Sequence, residues 1–133
     1  MEERKYTLSK SERLCSKKLI ERLFAGGNKS FPVFPIRVVY MFLSPEESSA
    51  DVSILISVPK KRFKHAVKRN LVKRQIREAY RCHKYILLDA LHQHEISHKM
   101  ALAFIWLDNK VYSTGDVENR VKKLLYHIAE GIQ

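Results

Sequence analysis

A chain of 133 residues with 45% hydrophobic content suits one compact domain with a single core, here residues 1–133, and leaves little room for a second. Its formal charge of +11, from 25 Lys and Arg against 14 Asp and Glu, points to a polyanionic partner. Two cysteines, Cys15 and Cys82, are too few for a disulfide framework, and with no secretory signal and no apolar run of about 18 residues the chain reads as reduced, soluble and cytoplasmic.

Residues 1–15 are polar and basic apart from Leu8 and Leu14, which predicts an extended, loosely attached arm. Ser16 is an N-cap for a first helix whose apolar face is Leu19, Ile20, Leu23 and Phe24, and Gly26 with Gly27 stops it. Alternation over residues 34–43 predicts a strand entered through Pro32 and Pro35, and alternation over residues 52–58 predicts a second, with the exposed loop SPEESSA between them. The two are expected to pair as antiparallel neighbours. Residues 82–94 either prolong the next helix or form a short one of their own. MALAFIWL at residues 100–107 is apolar throughout, as expected of a central strand covered on both faces. Ser113 or Thr114 then caps a last helix with the buried stripe Val117, Val121, Leu124, Leu125 and Ile128, ended by Gly131.

The most informative stretch lies between the second strand and residue 82. Positions 60–81, KKRFKHAVKRNLVKRQIREAYR, hold ten of the 25 cations and one acid, Glu78, so they carry +9 of the +11. Wound at about 3.6 residues per turn, the segment gathers Val72, Ile76, Ala79 and Tyr80 on one side. Asn70, Lys73, Arg74, Arg77, Arg81 and Lys84 fall on the other. Solvated helix faces normally mix signs to gain pairs three and four residues apart. Here the cations repel one another, which favours a nucleic-acid-binding face over a merely solvated one.

The spacing Lys60-Lys61, Ala66, Arg69-Asn70, Lys73-Arg74 and Arg77-Glu78 resembles the signature of the bacterial ribonuclease P protein component. Where that family has the second arginine of Arg-Asn-Arg, this chain has Leu71. The elements in order give an α+β domain, αββα(α)βα, with a small mixed sheet, whose βαβ crossover would by general rule be right-handed; the resemblance implies the left-handed version instead. It implies RNA contacts from Lys60, Lys61, Lys64, Lys68, Arg69, Asn70, Lys73, Arg74, Arg77 and Arg81. It further implies a catalytic RNA partner that uses Mg²⁺ to remove the 5′ leader of precursor tRNA, the leader lying in a cleft between the sheet and the basic helix. Phe24 and Tyr40 are the aromatic candidates for that cleft, with plain core packing the competing reading of both.

No protein active site is expected. The acids Glu46, Glu47, Asp51, Asp89, Asp108 and Asp116 show no metal-site spacing, and Gly26-Gly27 lacks the context of a phosphate loop. His92, His94 and His98 are near enough in sequence to suggest zinc, but no cysteine or carboxylate completes the set. Cys82 reads as a half-buried structural thiol. A structural RNA-binding protein, ribosomal or assembly factor, is the alternative that composition leaves open. A DNA-binding helix is disfavoured by the strands that bracket the basic segment.

Overall fold

The computed structural model describes residues 5–94 and 98–132. Among them, four strands form one mixed sheet with a helix on one face and three helices on the other. Helix α1 (Lys17–Phe24) starts where the Ser16 hydroxyl accepts a hydrogen bond from the Leu19 amide at 3.3 Å. It ends because Gly26 and Gly27 take φ of +96° and +80°, a region costly for any residue with a Cβ.

Strands β1 (Lys29–Val33) and β2 (Ile36–Leu43) form a hairpin with Phe31 opposite Val38. β1 was not expected from sequence. Pro32 belongs to it rather than to the entry of β2, at a sheet edge where a residue lacking an N–H is tolerated. Strands β3 (Val52–Ser57) and β4 (Lys99–Trp106) complete the order β1-β2-β4-β3. The expected pairing of β2 with β3 is therefore corrected. β4 separates them, antiparallel to β2 and parallel to β3, with Leu102 opposite both Tyr40 and Ile54. The reason lies in β4 itself: Ala101 and Ala103 pack beneath α1, while Met100, Leu102, Phe104 and Trp106 pack beneath the other helices, all at 0% exposure. A strand apolar on both faces is buried only in the middle of a sheet.

Helix α2 (Ala66–His83) follows β3, and a break at Lys84 separates it from α3 (Tyr85–Gln93). Helix α4 (Thr114–Gly131) is capped by Ser113, which accepts from the Asp116 amide at 3.2 Å. Its predicted stripe is buried in full. The whole is an α+β fold with a mixed sheet.

Two expectations about the N-terminal side are corrected. The described part of the arm is fastened, not loose: the Leu14 amide donates to Ile54 O at 2.8 Å beside β3, and Lys5 exchanges hydrogen bonds with the Tyr85 hydroxyl. Lys84, expected on the cationic row, is only 4% exposed and makes a 2.9 Å ion pair with Glu12 and a hydrogen bond to Thr7 O. A buried ammonium without a counter-charge would be costly, so the helix junction and the arm require each other. Cys82 is also exposed rather than half-buried, as is Cys15.

Candidate nucleic-acid interface

The inner face of α2 is set by Val72, Gln75, Ile76, Ala79 and Tyr80, all buried, and the Gln75 amide is fixed by donating to Tyr112 O at 2.9 Å. Locking that face leaves the opposite one turned outward. Lys60, Lys61 and Lys64 in the loop before α2, and Lys68, Asn70, Arg74 and Arg77 on it, are exposed, and Lys73 is half-buried. Among the described residues none of these eight side chains makes a hydrogen bond or an ion pair. The result, Glu78 apart, is a field of one sign suited to a phosphate backbone.

Two of the predicted cations are already engaged. Arg81 forks onto Glu78, with Nη2 to Oε2 at 2.8 Å, and donates from Nη1 to Tyr6 O at 2.7 Å. It serves the arm and is not a free charge, which corrects its place in the repelling row. The hydrogen bond from Arg81 holds the Glu78 carboxyl below the usual range, with Arg77 adding a smaller electrostatic pull. Arg69 is turned back to the loop, where Nη1 donates to Phe63 O at 2.8 Å and Lys64 O at 3.3 Å. Leu71 is 38% exposed, so the residue that departs from the family signature lies on the surface and not in the core.

One cation at this surface was missed. Arg13 bridges to Ile54 at the edge of β3, and this brings it to a depression of about 180 Å³ that it lines with Lys73, Arg77, Leu8 and Leu14. Nothing local in the sequence marks it, because Ile54, Lys73 and Arg77 lie some 40 to 65 positions away.

The aromatic candidates fall in adjacent depressions that share Asn28 as a wall. Phe24 is 46% exposed beside Ser30, Arg37 and Val39, which excludes its reading as plain core. Tyr40 is 8% exposed and packs in the main core, and it meets the second depression beside Arg22, Lys29 and Phe42. Burial pushes its phenol pKa up. The sheet face on the α1 side is only partly covered: Arg37, Ile105 and Ser57, aligned across three strands, remain accessible beyond α1.

The histidines do not assemble. His92 bonds Asp51 at 3.1 Å and His98 lies edge-on to Phe42, while Asp51 is held below the usual carboxylate range, first by the Lys99 hydrogen bond. Among the described residues no three His, Cys, Asp or Glu side chains converge as metal ligands. Among the described residues no helix is long and apolar enough to cross a membrane.

The ribonuclease P family model matches residues 8–129. A ribonuclease P protein component from Porphyromonas gingivalis is 43% identical over 127 residues, spanning 96% of this chain and 90% of that one. One from Chlorobaculum tepidum is 35% identical over 109 residues, spanning 79% and 70%. Among solved structures, the Staphylococcus aureus ribonuclease P protein superposes with a TM-score of 0.66 at 22% identity, covering 92% of this chain and 98% of that one. The Thermotoga maritima protein gives 0.65 at 20% identity, covering 87% and 96%. The chain belongs to the ribonuclease P protein family, as the RNA-binding protein component of a ribonucleoprotein endonuclease of tRNA processing.

Proposed function

We propose that this protein binds the catalytic RNA of ribonuclease P through the outer face of α2 and assists that RNA in removing the 5′ leader of precursor tRNA. The unpaired row of Lys68, Lys73, Arg74 and Arg77, continued by Lys60, Lys61 and Lys64 and joined by Arg13, carries this reading. Each phosphate that it neutralises releases condensed counterions, so affinity falls steeply with salt. The leader is assigned to the open sheet face beyond α1. There Phe24 offers a stacking surface and Arg37 a charge, the usual pairing for a single strand.

The hydrolytic step belongs to the RNA and its Mg²⁺. Among the described residues no three His, Cys, Asp or Glu side chains gather as ligands for a divalent ion. What the protein supplies is positive potential near crowded phosphates, which lowers the Mg²⁺ concentration that the RNA requires. Reconstitution tests this directly. Added to a bacterial ribonuclease P RNA, the protein lowers the Mg²⁺ needed to cleave precursor tRNA, and an unchanged requirement overturns the proposal.

A further inference from the structure

Arg69 lies within the cationic segment but differs from its neighbours in where its charge goes. Lys68 and Asn70 on either side are exposed, whereas Arg69 is half-buried and reaches back along the chain to Phe63 O and Lys64 O. Those carbonyls belong to the loop between β3 and α2, which turns through a hydrogen bond from Arg62 N to Pro59 O at 3.0 Å. Phe63, at 5% exposure, is the anchor of the loop in the core. His65, the residue before α2, makes no capping bond with its side chain, so Arg69 is the side chain that ties the loop to the first turn of the helix. Lys60, Lys61 and Lys64 are borne on this loop and are exposed.

We infer that Arg69 is a positioning residue: it holds the loop so that Lys60, Lys61 and Lys64 form a fixed set continuous with the α2 row, instead of contacting a phosphate itself. The chemistry suits arginine, since Nη1 carries two N–H groups and donates to both adjacent carbonyls while the planar guanidinium fixes their directions, which an ammonium on a flexible stem does less well. Three cations held in place bind a phosphate array with less loss of side-chain and loop freedom than three on a mobile loop. This inference rests on the RNA-binding reading of the same face.

The test has one arm without RNA and one with it. In the free protein, Arg69→Ala and Arg69→Lys are compared with Lys68→Ala by trypsin cleavage after Lys60, Lys61 and Lys64, alongside a melting curve. Both Arg69 variants are cut at least about fivefold faster there, with little change in melting, because the bonds they lose are local. Cleavage equal to that of Lys68→Ala overturns the inference.

In the second arm, binding to a bacterial ribonuclease P RNA is measured against salt for Arg69→Ala, for the triple Lys60→Ala, Lys61→Ala, Lys64→Ala variant, and for all four changes together. A positioning role makes Arg69→Ala flatten the salt slope by more than about one unit in the parent and by almost nothing in the triple background. A loss of about one unit in both backgrounds, restored by Arg69→Lys, marks a direct phosphate contact and overturns the inference. Faster cleavage with an unchanged slope in every variant, the triple included, keeps Arg69 as the tie of the loop and overturns the RNA reading of the face.

Discussion

Helices α2 and α4 are each 18 residues long, pack against one another and bury similar stripes, yet their outer faces are built oppositely. α4 begins with a Ser113 cap and an acid, Asp116, in its first turn, and it pairs Asp116 with Arg120 and Glu118 with His83. α2 begins without a side-chain cap or an acid and places Lys68 and Arg69 against the positive end of its own dipole. One helix has optimised its local energy. The other has given part of it up, and the deficit is met by the core beneath it and, in the reading above, by an RNA outside the chain.

Substitutions on both helices can break that contrast. On the inner faces the two should behave alike: Ile76→Ala in α2 and Leu124→Ala in α4, both at 0% exposure, should each cost roughly 2–5 kcal/mol in urea unfolding. A much smaller loss at Ile76 would show α2 to be less tightly held than its burial implies.

The outer faces should then part company. Arg74→Ala and Arg77→Ala should leave stability within about 0.5 kcal/mol and flatten the salt dependence of RNA binding by about one unit each. Lys123→Ala on α4 should leave that slope unchanged. Leu71→Arg, at an exposed position, should fold normally and steepen the slope.

At the helix starts the signs should oppose. Ser113→Ala should lower unfolding stability by about 1 kcal/mol, and His65→Ser should raise it by a similar or smaller amount. A gain at His65 sharpens the view that α2 is locally under-stabilised. No gain would mean that water already satisfies the free amides at this end.

The smallest effect concerns pH. Asp51 is held below its ordinary pKa, chiefly by the hydrogen bond from Lys99, so its contribution is present above the usual carboxylate range and is lost as pH falls through the depressed value. Asp51→Asn should therefore lose less stability than the parent between neutral pH and about pH 3. Parallel acid limbs for the two proteins would count against the pair.

What could be read from sequence follows the range of the interactions. The stripes of α1, α2 and α4 and the central position of β4 are recorded in neighbouring residues, as apolar spacing and as an unbroken apolar run. β1 escaped because Lys29, Ser30 and Pro32 blur its alternation, and it is a strand by virtue of its pairing with β2. The insertion of β4 between β2 and β3 depends on contacts across some 50 to 70 residues. In the candidate site, the outward cations on α2 were legible for the same reason as its stripe. Arg13, the tie made by Arg69 and the diversion of Arg81 were not, since each depends on a loop or arm carbonyl or a strand edge that charge patterning does not encode.

The Lys84–Glu12 pair has a practical consequence for any shortened form of the protein. A chain starting at Ser16 would keep all four helices and all four strands, and by element count would look whole. It would nevertheless lose both the atoms that cover the Lys84 ammonium and those that bond it, and the α2–α3 junction would open to water. In the full chain Glu12→Ala breaks the pair while the rest of the arm still covers the ammonium, a defect on the order of 3–5 kcal/mol that adding Lys84→Met should largely recover. The folded unit is thus drawn by one counter-ion in an irregular segment and not by the first regular helix.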